Sequence, residues 1–144
     1  MGKRISKKIP TSHPLLTWLV EHAAWLLNTR VMGSDGLTPY HRTKGKSYAK
    51  RSIGFGEYVM HMLPTKGPQQ AAMGKLDAKW KHGHIMGYGK SSNEYYVFDE
   101  ESKKMVMARS VQRVPFDLRW EADGLESMNV PCRQLYDRQA ARAV

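Results

Sequence analysis

The run Lys79–Val111, KWKHGHIMGYGKSSNEYYVFDEESKKMVMARSV, alternates apolar or aromatic residues with polar ones in three short stretches. These are His82–Tyr88, Glu94–Phe98 and Lys104–Ser110, separated by the polar segments Gly89–Asn93 and Asp99–Lys103. A period of two broken by turn-forming residues predicts antiparallel strands. Strands this short, with bulky residues on both of their faces, suit a small, strongly bent β-barrel better than a catalytic domain. Upstream, Glu57–Met62 predicts another strand, and Pro64–Met73, rich in Gly, Pro and Gln, a long loop. Downstream, Val111–Val114 predicts a final short strand that closes the barrel.

The N-terminal part has a different period. Residues 1–11 are basic and polar, as expected of a flexible arm. Ser12 is a candidate N-cap, with Pro14 in the first turn, for a helix that runs to about Asn28. Leu16, Leu19, Val20, Ala23, Leu26 and Leu27 form one apolar stripe on it; Leu15, Trp18, His22 and Trp25 form a second. A helix apolar on two faces calls for cover on two sides. After a Gly33–Gly36 turn, Thr38-Pro39 reads as an N-cap with proline at the first helical position, starting a short helix to about Lys44. Beyond Trp120 the chain is mixed in charge and poor in large apolar residues, so 116–144 is expected to be a linker or tail.

Composition bounds the function. With 144 residues there is room for one modest domain or two small modules, and no room for a large active-site cleft. A hydrophobic content of 41% with four tryptophans calls for a folded core. The single cysteine, Cys132, excludes an intrachain disulfide and suits a reducing, intracellular setting, nuclear or cytoplasmic. Lys and Arg number 23 against 13 Asp and Glu, a net charge of +10 that points to a polyanionic partner. The apolar stretch Leu15–Leu27 holds Glu21 and His22 and is too short to span a bilayer. Met1–Ser6 fits the N-myristoylation pattern beside Lys7 and Lys8, but that pattern fixes few positions and membrane anchoring is not expected.

Residues 41–51, HRTKGKSYAKR, carry five Lys or Arg and no acid. Arg42, Lys44, Lys46, Lys50 and Arg51 are therefore the first candidates for phosphate contact. Lys79, Lys81, Arg109 and Arg113 flank the barrel and come second. Tyr95, Tyr96, Phe98 and Trp80 invite a base-stacking reading, yet a small barrel must fill its faces with bulk, so most are expected to be structural. Tyr96 and Phe98 should share one face, Tyr95 and Val97 the other.

Other motifs are weak. Gly87–Ser91 ends like a phosphate-binding loop, but His84 stands where the first glycine is required and the context is strand–turn–strand. Ile53-Gly54-Phe55-Gly56 reads as a backbone bend into a strand. His82 and His84 sit two apart on one strand face, with one distant cysteine and only Asp77 nearby, so they read as solvent-facing or phosphate-contacting, not as metal ligands. His22 reads as a hydrogen-bonded interface residue. No catalytic residues and no metal or cofactor site can be proposed.

Taken in order, several of these residues resemble the C-terminal part of the integrase region of copia-type LTR retrotransposon Pol polyproteins. Trp18, Ala23, Ala24, Leu27 and Asn28 resemble a helix ending in Leu-Asn; Gly36-Leu37-Thr38-Pro39-Tyr40 resembles G-x-T-P-Y, followed by Lys44-Gly45-Lys46 at a basic G-K. Phe55-Gly56 with Val59 resembles F-G-x-x-x-V, and Gly83, Ile85, Gly87 and Tyr88 resemble G-x-F-L-G-Y. Tyr96, Val97, Asp99, Lys103, Lys104, Val106, Arg109, Ser110 and Val111 resemble Y-R-V-Y-D, K-K-V and S-R-D-V. Met86 and Glu57 depart from the pattern, Glu57 standing where Cys is frequent.

The resemblance implies an α+β chain: residues 12–52 as helices left from an RNase-H-like core with a basic linker, then an SH3-like antiparallel barrel at 53–115. It implies that the Asp, Asp and Glu of strand transfer, with their Mg or Mn ions, lie upstream of residue 1, so Glu21 has no such role. The chain is then expected to be a non-catalytic integrase fragment. It would hold DNA through the phosphate backbone with little sequence preference, and would work with the rest of the polyprotein as an oligomer, away from membranes. The alternative is a stand-alone small-barrel module that binds a protein partner; a residual metal-dependent nuclease or strand-transferase is the third reading.

Overall fold

The computed structural model describes residues 8–62, 80–89, 93–121 and 124–132. The N-terminal arm up to residue 7 with its acylation pattern, the loop expected at 64–73, Asp77 and Lys79, the tip of the 89–93 turn, and the tail from 133 lie outside them.

Two helices precede five strands: α1 (Leu15–Arg30), α2 (Pro39–Lys44), β1 (Tyr58–Met62), β2 (Trp80–Tyr88), β3 (Tyr95–Asp99), β4 (Met105–Ala108) and β5 (Val111–Arg113). The strands form one antiparallel sheet in the order β4-β3-β2-β1-β5. β5 follows β4 after only Arg109 and Ser110, yet pairs with β1 at the opposite edge. The sheet must therefore curl until its two edges meet, which is the closure expected of a small SH3-like barrel. β2 helps this bending: its register against β3 shifts between Ile85 and Gly87, a β-bulge that increases local twist.

The strands are buried on both sides, which explains why all five residues of β3 are buried. Ile53, Val59, Ile85, Tyr88, Tyr95, Val97 and Ala108 form one cluster, which with Val106 and Val111 draws on all five strands and fills the barrel. Met86, Tyr96 and Phe98 join Leu15, Trp18, Leu125, Met128 and Cys132 in a second cluster on the other side. Tyr96 with Phe98, and Tyr95 with Val97, thus separate onto two faces as their alternation predicts.

That second cluster corrects the expectation of a free linker after residue 115. The chain turns at Pro115–Trp120, and a 3-10 turn at Leu125–Ser127 brings Leu125 and Met128 against α1 and the sheet. Trp18 Nε1 donates to the Val130 carbonyl at 2.7 Å, and the Cys132 amide donates to Thr17 Oγ1 at 3.0 Å. Short sparse apolar residues carried no periodic signal, but they fill the gap beside a tryptophan.

α1 buries Leu15, Trp18, His22 and Thr29, the face that begins with the second stripe. Part of the first stripe turns outward, with Val20 69% and Leu27 60% exposed, while Leu19 packs against the second cluster. Ser12 does not cap this helix. Pro14 takes the N-cap position without a side-chain bond, and the Leu15 amide donates instead to His13 Nδ1 at 3.1 Å. α2 starts as expected, with Thr38 Oγ1 accepting from the His41 amide at 3.1 Å. It ends at Gly45, whose φ of 71° is a left-handed C-cap that favours glycine.

Candidate nucleic-acid interface

The acid-free run after α2 is pinned to the body of the molecule by aromatic rings. Tyr48 lies edge-on to Tyr40 and to Trp25, each with ring centroids 5.2 Å apart. Burial pushes its phenol up to about 12, so it stays neutral. The Arg30 guanidinium sits 5.5 Å above the Tyr48 ring and donates to the Lys50 carbonyl at 2.6 Å. The Tyr88 hydroxyl accepts from the Ile53 amide at 2.8 Å and donates to the Ile53 carbonyl at 2.9 Å. The backbone of this segment is therefore held against the barrel.

The eight candidate cations among the described residues have different surroundings. Lys50 points inward: its ammonium lies 3.7 Å above the Tyr95 ring, without a hydrogen-bond partner, and burial lowers its pKa. It fixes the segment through a cation–π contact and is badly placed for a phosphate. Arg42 grips Asp35 through two bonds of 2.9 and 2.5 Å, and that grip holds the Asp35 carboxyl near 2. Arg113 is committed to Glu57, and Lys81 pairs with Glu101. Arg109 lies 3.2 Å from Glu94 and is 81% exposed at its side chain. Lys46 and Arg51 are exposed, and Lys44 is exposed at the end of α2.

Glu57 is the polar residue whose role the sequence does not announce. It is 0% exposed at the start of β1, with Arg113 Nε and Nη2 at 2.7 and 2.8 Å, the Gly54 amide at 3.1 Å and Arg119 Nε at 3.8 Å. A buried carboxylate is tolerable only with partners of this kind. Its alternation with Val59 marks a buried strand face, but nothing local distinguishes a paired acid from a surface one.

The histidines need two corrections, of which the first is His22: expected to be hydrogen-bonded, it is buried on α1 with its Nδ1 unpartnered. His82 is exposed and stacks on Tyr58, with planes 5° apart. His84 is not solvent-facing: it is 1% exposed, with Nδ1 at 3.2 Å from the Gly56 carbonyl. Beside it, Gly83 lets β2 run close to β3, since a Cβ there would sit 2.5 Å from the Phe98 carbonyl oxygen. His61 is also buried and bonds Asp99 through Nε2 at 2.9 Å. Burial lowers His61, so it is the neutral partner. Burial alone would raise Asp99, but hydrogen bonds from Ser102 and His61 outweigh this and hold it low.

Two segments that are distant in sequence line one open groove of about 750 Å³. Ala49 and Lys50 form one side and Arg109, Ser110, Val111 and Gln112 another, with Trp80, Asn93 and Tyr95 completing it. Arg51 lies close enough for its charge to act on the Tyr95 phenol. The groove thus combines exposed guanidinium charge, amide and hydroxyl groups and aromatic surface, which is what a nucleic-acid strand requires of a binding surface. Among the described residues no group of three or more His, Cys, Asp or Glu could hold a metal ion. Asp35, Glu57 and Asp99 each already serve the partners named above, so they do not fit a metal-binding carboxylate set. No helix among the described residues is long and apolar enough to cross a membrane.

Residues 58–121 match the family model of the retroviral polymerase SH3-like domain. The match begins at the first residue of β1 and runs through all five strands to the turn after β5. It supports placing this part of the chain with the integrase region of retroviral or retrotransposon Pol polyproteins. No curated protein and no solved structure matches the chain.

Proposed function

We propose that the chain is a non-catalytic, nucleic-acid-holding module of a retrotransposon integrase, of copia type. In this reading α1 and α2 descend from the end of an RNase-H-like core, and the chemistry belongs to a catalytic part with Asp, Asp and Glu. The partners are DNA and the rest of the polyprotein in an oligomer, in the nucleus or cytoplasm. The observation that carries the DNA role is the groove between residues 49–51 and 109–112. Cations from both sides of it meet a strand at its phosphates, which gives register and affinity with little sequence preference.

Arg109 in the groove, Arg51 close to it, and the exposed Lys46 and Lys44 farther along the same segment are the phosphate ligands, and Lys50 is their anchor. If about four phosphates are neutralised, affinity for duplex DNA falls roughly 150-fold between roughly 50 and 200 mM salt. Filter binding measures this, and affinity that is flat over that range would remove the DNA role. Charge reversal at Lys44, Lys46 and Arg51 separates the rival reading, a protein-interaction module. Partner binding that survives the reversal in a chain without nucleic-acid affinity would favour the rival. The exposed Val20, Leu27, Val31 and Met32 on and after α1 are what speak for it. A metal-dependent nuclease or strand-transfer assay on the chain is expected to be blank.

A further inference from the structure

A second concavity, of about 310 Å³, lies where α1, α2 and the β2–β3 wall meet. That is the lower end of the range for small-ligand sites. Trp18, Trp25, Tyr88 and Tyr96 supply aromatic surface, and Tyr40 and Lys44 come from α2. Trp18, Glu21, His22, Trp25 and Asn28 lie three or four residues apart, so one face of α1 presents rings and hydrogen-bonding groups together. Gly87 also lines the cleft, and its missing side chain leaves space before Trp18 and Tyr96.

One polar group here is unsatisfied. His22 is 5% exposed, its ring 5.4 Å from Phe55 and 5.6 Å from Tyr88, and its Nδ1 has no hydrogen-bond partner. Buried polar atoms are rarely left so, and an unpaired one in a cleft marks a place where a ligand atom is wanted. A purely apolar side chain from a partner would fill the volume and leave this nitrogen unmet.

We infer that this cleft takes one unpaired nucleobase of a bound strand, stacked on its aromatic walls and hydrogen-bonded at its edge by His22, Asn28 or Glu21. A base is flat, has a π-face for the tryptophans and carries donors and acceptors around its rim. Lys44 stands at the α2 side to meet the attached phosphate, and the acid-free run beyond it favours an anionic strand over an acidic or neutral peptide side chain. The inference rests on the nucleic-acid reading above and adds a separate site to it: the groove holds the backbone, and the cleft takes the base.

The experiment compares two single-stranded 15-mers on the full chain, one of thymidines and one of abasic residues with the same phosphates. The expected result is about tenfold tighter binding of the strand that has bases, the effect of one stacked base. Gly87→Ala should bring the two affinities together, because its methyl enters the cleft at ordinary contact distances of 3.7–3.9 Å from Tyr96 and Trp18. Trp25→Leu, at a half-buried position, should do the same and serves if Gly87→Ala unfolds. Trp80→Leu, in the groove, should weaken binding of both strands without removing the preference between them. Equal binding of the two strands overturns the inference but leaves the groove reading standing. Loss of the preference in Trp80→Leu, or its survival in both cleft variants, moves the base elsewhere and also overturns it. A chain that binds neither strand overturns this inference and the DNA role together.

Discussion

Glu57 is a fully buried carboxylate whose tolerance in the fold depends on its partners. Both of its oxygens are engaged by Arg113, and Arg119 stands at 3.8 Å. Arg113→Met leaves a buried carboxylate with much weaker compensation, and is expected to lower the unfolding free energy by roughly 3 kcal/mol in urea denaturation. The paired change Glu57→Gln with Arg113→Met should cost less than Arg113→Met alone, since no charge is then left buried. An Arg113→Met variant as stable as the parent would mean that the ion pair is not formed. The buried histidines give a pH dependence of known sign. Burial is the first cause that lowers His22, His61 and His84 from 6.5, in His61 against the opposing pull of Asp99. The unfolded chain then takes up protons that the folded chain refuses, so stability is full above pH 6.5 and declines as pH falls below it. Urea midpoints at about pH 7.5 and about pH 5.5 should differ in that direction, by up to about 1.4 kcal/mol per histidine per pH unit. Equal midpoints would contradict three buried neutral imidazoles.

Among the elements, β2 carries the tightest constraint. Gly83→Ala would place a methyl 2.5 Å from the Phe98 carbonyl oxygen and 2.7 Å from Val97 Cγ1, so β3 must move away. The expected loss is about 2 kcal/mol, read by denaturation, with loss of β signal by circular dichroism. α1 gives the contrasting case. Val20 and Leu27 face outward, and replacing either with lysine should change stability by no more than about 0.5 kcal/mol. A large loss would mean that this face is covered. Strand positions were legible because alternation and turn residues are local signals, and the Thr38-Pro39 helix start was legible for the same reason. The helix face was not: two apolar stripes compete on α1, and only the position of Met86 and Tyr96 selects the one with Trp18. The cleft was half legible, since Trp18, Glu21, His22 and Trp25 show one-face spacing, while Gly87 and Tyr40 reach it only through folding.

In the molecule taken together, the segment at 124–132 belongs to the core. Ending the chain at residue 121 removes the burial of Leu125 and Met128, which are 2% and 1% exposed, and should cost about 3–6 kcal/mol in urea denaturation. A truncated chain of parental stability would return that segment to the role of a linker. Alternation, turn chemistry and the excess of Lys and Arg were enough to specify short antiparallel strands, a preceding amphipathic helix and an attraction for polyanions, because each depends on neighbouring residues or on a sum. Which cations remain free was decided by folding alone. Lys50, Arg42 and Arg113 read in the sequence like the exposed Lys46 and Arg51, but Tyr95, Asp35 and Glu57 come within reach only when the chain closes on itself. A charge is a property of one residue, whereas its availability is a property of everything the fold places around it.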